Sequence, residues 1–128
     1  MHDYRFSTRM MFALLVVLTV CLMSPAIAGK GDFDAARQAW PMIQQGALLI
    51  DVRGTDEFAQ GHIEGAINIP FDKTDALIAA IGTDKQRPVV VYCRSGHRSG
   101  KAKTGLEAKG YSNVFNATGL EALKATKP

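Results

Sequence analysis

Apolar positions along the chain fall into short continuous runs separated by polar, helix-forming stretches. Ala47-Leu-Leu-Ile-Asp-Val52 and Pro88-Val-Val-Val-Tyr92 are nearly unbroken, as expected of strands buried on both faces. Ala66-Ile-Asn-Ile69, ended by Pro70, and Asn113-Val-Phe-Asn116 predict two further short strands. Between them the spacing changes to helical. Asp32 or Asp34 caps a helix running to about Gln45, with Phe33, Ala36, Trp40 and Ile43 on one face, Pro41 expected to weaken or split it, and Gly46 to stop it. Thr55 caps a short helix with Glu57 close to a capping-box position, broken at Gly61-His62. Asp72 to Ile81 turns Leu77, Ile78 and Ile81 inward. A helix from Arg98 to Lys109 ends at Gly110, and Leu120 to Ala125 is the last. Strands alternating with helices predict an α/β fold: one doubly wound parallel sheet of about four strands, in the order 4-3-1-2, with right-handed crossovers.

The ends reduce what belongs to that fold. Arg5 and Arg9 precede an apolar stretch from Phe12 to Met23, and Ala26-Ile-Ala28 offers a small-residue cleavage site. This is the pattern of a secretory signal peptide over residues 1–28, its apolar part short of the roughly 20 residues that span a bilayer. The rival readings are a retained anchor and a lipoprotein using Cys21, where Val20 is bulky for the preceding position. Cleavage leaves residues 29–128 as a single domain. It removes Arg5, Arg9 and Asp3 from the 15 cationic and 12 acidic residues, leaving 13 against 11. A balance that small is no footprint for nucleic acid, and the expectation is an exported, periplasmic monomer with no stable membrane association. Cleavage also removes Cys21, so Cys93 loses its only possible disulfide partner within the chain.

Cys93 ends the second long apolar run and is followed by Arg94-Ser-Gly-His-Arg-Ser99, six residues with no large apolar side chain. A loop of this kind between a strand and a helix can turn successive N–H groups inward as an anion nest, with the helix dipole adding to it. Both favour a thiolate. Arg94 and Arg98 add permanent charge and His97 a third, so the ligand class is a tetrahedral oxyanion and the reaction nucleophilic attack by sulfur. In open parallel sheets such sites lie outside the carboxyl ends of the strands, where Cys93 stands. Cysteine-dependent phosphatases place five residues between cysteine and arginine; here four separate Cys93 from Arg98. The shorter loop suits a cradle around one added sulfur atom. A phosphatase or arsenate reductase remains the enzymatic alternative, and a non-catalytic binding module the other.

The loop resembles that of rhodanese-like sulfurtransferases, and three motifs in order carry the resemblance across nearly all of residues 29–128. They are Leu49-Ile-Asp-Val-Arg53 with Glu57-Phe58 and Gly61-His-Ile-Glu-Gly-Ala-Ile-Asn-Ile-Pro70; Val91-Tyr-Cys-Arg-Ser-Gly-His-Arg-Ser99; and Gly110-Tyr-Ser-Asn-Val-Phe-Asn116 with Gly119-Leu120. The chain is similar to the short periplasmic single-domain type. The resemblance implies that Cys93 takes sulfane sulfur from a donor such as thiosulfate, becomes a persulfide and passes the sulfur to a thiophilic acceptor such as cyanide or a thiol. The N–H groups of Arg94, Ser95, Gly96, His97, Arg98 and Ser99 would hold the persulfide, while Arg94 and Arg98 attract the donor. No cofactor and no metal is implied. Two departures stand out: no strand precedes the first helix, and Thr118-Gly119 occupies a place where a glycine pair is common, which predicts a local loop change.

Asp51, Arg53, Glu57 and His62 resemble an acid–base constellation, but the reading here is structural for all four. Asp51 and Arg53 follow a strand and are expected to fix loops by hydrogen bonds or an ion pair, and His62 to be a packed, satisfied histidine. Arg98 is also placed to pair with a carboxylate. Without a C-x-x-C pair a dithiol mechanism is excluded, and two histidines with one cysteine in residues 29–128 are a poor zinc set.

Overall fold

The computed structural model describes residues 29–128, so the signal peptide expected over residues 1–28 lies outside the described residues. In chain order the elements are α1 (Lys30–Gln44), β1 (Leu48–Asp51), α2 (Thr55–Ala59), β2 (Ile67–Asn68), α3 (Thr74–Ile81), β3 (Val89–Cys93), α4 (His97–Ala108), β4 (Val114–Gly119) and α5 (Leu120–Ala125). All strand pairs are parallel and the sheet runs β2-β1-β3-β4, the expected 4-3-1-2 order read from the other edge. Among the described residues no helix is long and apolar enough to cross a membrane.

Every residue of β3 is buried, and the two-residue period of a strand divides them between two cores. Val90 and Tyr92 meet Ala36, Ala39 and Trp40 of α1 and Leu123 of α5 on one face. Val89, Val91 and Cys93 meet Leu77 and Ile81 of α3 and Ala102 and Leu106 of α4 on the other. Each such aliphatic side chain taken from water contributes about 1.5–3 kcal/mol, which is why the apolar runs become central strands. The parity also sends Cys93 toward α4.

Helix α1 begins at Lys30, ahead of both aspartates, because the Asp32 N–H already finds the Gly29 carbonyl at 2.9 Å. Pro41 neither splits nor ends it. Proline costs the helix one N–H, but Trp40 is buried and its indole donates to the Leu123 carbonyl and to Thr126 Oγ1, each at 3.1 Å. Packing against α5 thus outweighs the local defect. Gly54, not Thr55, is the N-cap of α2, with Glu57 Oε1 accepting the Gly54 N–H at 3.3 Å.

The last strand runs three residues past Asn116, to Gly119. Val91 pairs with Asn116 and Cys93 with Gly119, so β4 has one more residue than β3 over this stretch. That bulge is where Thr118 stands, at φ 71, the one non-glycine residue with positive φ among those described. The loop change expected at Thr118-Gly119 takes this form.

Candidate active site

Cys93 is the last residue of β3, 1% exposed, and the chain turns from it through Arg94, Ser95 and Gly96 into α4. Gly96 makes the turn at φ 93, a conformation costly for any residue with a Cβ. The turn brings the Gly96 N–H to 3.0 Å from Cys93 Sγ and Ser99 Oγ to 3.3 Å. The backbone N–H dipoles of Ser95 and Ser99 add to the field that favours negative charge on the sulfur. Burial is the largest single influence on the thiol and pushes its pKa up. The Ser99 hydroxyl and the three N–H groups together outweigh burial and hold Cys93 below the ordinary thiol value.

The loop is braced by β4. Asn116 donates from Nδ2 to the Gly96 carbonyl at 3.0 Å, while its Oδ1 accepts from Ser99 Oγ at 2.7 Å and from the Thr118 N–H at 2.9 Å. A Cβ on Gly119 would run into the Arg94 carbonyl oxygen, so β4 packs directly on the loop backbone. Thr118 lies against Gly96 and ties β4 to α1 through Oγ1, which donates to the Asp32 carbonyl at 3.1 Å. The roles of Asn116 and Thr118 were not read from the sequence. The available signal was an asparagine inside a strand otherwise apolar up to that point, a position that requires polar partners.

Of the loop cations, Arg98 is committed: its guanidinium grips Glu57 in a two-point pair, 2.7 Å to Oε1 and 2.9 Å to Oε2. Pairing with Arg98 lowers the Glu57 carboxyl to about 2, and in turn raises Arg98. Arg94, Ser95 and His97 are exposed, and Arg94 has no carboxylate within ion-pair distance among the described residues. Beside Arg94 opens a cleft of about 260 Å³ bordered by Arg53, Glu57, Glu121 and Lys124.

Asp51 and Arg53 lie under the site as a buried ion pair. Asp51 accepts the Arg53 backbone N–H at 2.9 Å and its guanidinium at 2.7–3.1 Å, and Arg53 reaches on to the Gly61 carbonyl at 2.7 Å. Hydrogen bonding to Asp51 raises Arg53 against the cost of burial. Asn68 secures the same corner by donating to the Asp51 and Arg53 carbonyls at 3.0 and 2.9 Å. His62 sits apart and exposed, stacked on Phe58 at 3.6 Å, with Nδ1 2.9 Å from the Phe58 carbonyl. Tyr92 uses its phenol to accept the Ile63 N–H at 3.0 Å, and burial raises its pKa. Among the described residues no group of three or more His, Cys, Asp or Glu side chains could hold a metal ion.

The Rhodanese-like domain profile matches residues 35–125. The chain belongs to the rhodanese-like domain family. This rhodanese-like chain is 44% identical over 78 residues to thiosulfate sulfurtransferase PspE of Escherichia coli (strain K12), a match covering 61% of this chain and 75% of that protein. It is 37% identical over 86 residues to thiosulfate sulfurtransferase GlpE of Haemophilus influenzae (strain PittEE), covering 65% of this chain and 77% of the relative. A solved structure described as a rhodanese with anions from E. coli superposes with TM-score 0.56 at 43% identity, over 60% of this chain and 91% of that one. The human single-domain sulfurtransferase TSTD1 gives TM-score 0.59 at 27% identity, over 71% and 92%. The four-stranded parallel sheet flanked by helices is therefore the rhodanese fold.

Proposed function

We propose that the protein is an exported thiosulfate sulfurtransferase in which Cys93 is the nucleophile. The observation that carries this reading is the loop closing over Cys93 Sγ, with the Gly96 N–H donating to the sulfur at 3.0 Å and the Ser99 hydroxyl in hydrogen-bond contact at 3.3 Å. The relatives named as thiosulfate sulfurtransferases support the same substrate class.

In the reaction the thiolate attacks the outer sulfur of thiosulfate. The S–S bond of the donor breaks, sulfite leaves with its electron pair, and Cys93 carries a persulfide. A thiophile such as cyanide then attacks the outer sulfur, leaves as thiocyanate and returns the thiolate. The N–H groups lining the four-residue gap to Arg98 hold the negative charge on sulfur in both states. Arg94, free and exposed, draws the dianionic donor; Arg98, fixed by Glu57, orients the start of α4, and Ser95 and His97 shape the mouth of the loop. Asp51, Arg53 and His62 act as framework. The working form is a monomer of residues 29–128, released into the periplasm after cleavage behind Ala28.

The test follows thiocyanate from thiosulfate and cyanide in the wild type and in Cys93→Ser. Intact mass rises by about 32 Da on donor treatment of the wild type alone, because the intermediate is covalent. No adduct and no thiocyanate would overturn the reading, and turnover of a phosphate ester would replace it. Mass measurement of the periplasmic protein checks the cleavage.

A further inference from the structure

Ser99 has one hydroxyl proton and two neighbours that can take it. Asn116 Oδ1 lies at 2.7 Å and Cys93 Sγ at 3.3 Å. The orientation of the Asn116 amide is set by backbone groups at both ends: Nδ2 donates to the Gly96 carbonyl and Oδ1 accepts the Thr118 N–H. Turning the amide over would set donor against donor at Thr118 and acceptor against acceptor at Gly96. Toward Ser99 the amide can therefore only accept. When the Ser99 proton lies on Asn116, the space between Oγ and Sγ needs a proton from sulfur, which is the thiol. When Cys93 has lost its proton to water, the same hydroxyl must turn to the sulfur. Asn116 Oδ1 is not orphaned by that turn, since the Thr118 N–H stays on it.

We propose that Asn116 is a positioning residue whose side-chain carbonyl competes with Cys93 for the hydroxyl proton of Ser99, so that the hydroxyl swings between the two as the sulfur gains and loses charge. Formation of the persulfide takes the charge off Sγ, and the hydroxyl returns to Asn116. The inference rests on Cys93 as the reactive sulfur, but it does not need sulfur transfer to occur. The other charged groups near this end of the sheet are Arg98 of α4, paired with Glu57 of α2, and the pair of Asp51, at the end of β1, with Arg53; Arg94 on the loop and His97 at the start of α4 are exposed. Strand β4 brings no charged side chain, only Asn116 and Thr118.

The test is the rate of iodoacetamide alkylation of Cys93 against pH in the full chain, read by mass spectrometry on the Cys93 peptide so that Cys21 does not interfere. Asn116→Ala releases the hydroxyl to the sulfur and moves the alkylation midpoint down by about one unit, the size expected of strengthening a hydrogen bond to a charged group. In a Ser99→Ala background, itself shifted up, Asn116→Ala moves the midpoint no further down. A merely structural brace would instead loosen the loop and raise the midpoint in both backgrounds, which would overturn the proposal, as would no shift in the wild-type background. Asn116→Asp holds the Ser99 proton harder but gives up the donor to the Gly96 carbonyl in both backgrounds, so the midpoint rises, and by less once Ser99 is alanine. Equal rises in both backgrounds would also overturn it.

Discussion

Asp51→Asn keeps the side chain's shape and removes its charge. In the native protein Asp51 is fully buried and Arg53 is 6% exposed, so the substitution leaves a guanidinium in the interior with no counter-ion. Breaking one side of a buried, hydrogen-bonded pair costs about 3–5 kcal/mol. A domain of this size is stable by only about 5–15 kcal/mol, so the variant loses about a fifth or more of what holds it folded. The corresponding drop in Tm is roughly 12–40 °C. Trp40 is the single tryptophan and is buried between α1 and α5, so urea unfolding followed by its fluorescence reads the loss directly. The pair variant Asp51→Leu with Arg53→Leu removes both charges and leaves only the Arg53 N–H and the Gly61 carbonyl to be resatisfied. It is expected to be more stable than Asp51→Asn, despite carrying the larger change. A loss below about 1 kcal/mol in Asp51→Asn at unchanged urea dependence, or a pair variant worse than the single one, would refute the argument that the charge is dry and paired.

Three other outcomes follow from the geometry. Gly119→Ala drives a Cβ into the Arg94 carbonyl and displaces the loop; overpacking of about 1–3 kcal/mol felt at the transition state lowers thiocyanate kcat/KM by about tenfold or more, while φ −128 at this residue adds no strain of its own. Arg94→Gln raises the KM for thiosulfate several-fold with kcat little changed, and flattens the salt dependence of kcat/KM, since an exposed cation acts through screened attraction. Glu57→Gln tests the pair with Arg98: the Glu57 carboxyl is lowered to about 2, so its contribution is complete above its ordinary value of 4.5 and disappears as pH falls toward 2. Because both side chains are about a third exposed, at 29% and 35%, the contribution is about 1 kcal/mol or less. The stability gap between wild type and Glu57→Gln, measured by urea, narrows as pH falls from about 4.5 toward 2; a gap that widens on acidification would reverse the assignment.

The sheet was legible because its information is local and periodic. Leu49–Val52, broken only by Asp51, and Val89–Tyr92 are apolar runs, and only a strand covered on both faces accepts Val90 and Val91 side by side. The position of Cys93 at a strand end, and its donor loop, could be read for the same reason: strand, turn and helix are consecutive. What escaped depends on residues brought together from afar. That Arg98 would be occupied by Glu57 rather than free was open, because nothing in the spacing says which side of α4 faces α2. Asn116 joins Gly96, Ser99 and Thr118 only once β4 lies beside β3 with an extra residue in its register. A bulge of one residue leaves almost no trace in an apolar pattern. Pro41 misled in the opposite direction, since a local helix defect is overruled by a buried tryptophan whose partners sit in the last helix.

The contact of Gly119 with Arg94 joins the closing strand of the fold to its sulfur-holding loop. Cys93 owes its lowered pKa to groups arranged by a loop that β4 clamps in place, and β4 is made after that loop. A partly synthesised or unfolded chain therefore carries an ordinary, mostly protonated thiol. The nucleophile proposed at Cys93 is in this sense a product of maturation, since the setting that lowers its pKa exists only once the sheet is complete.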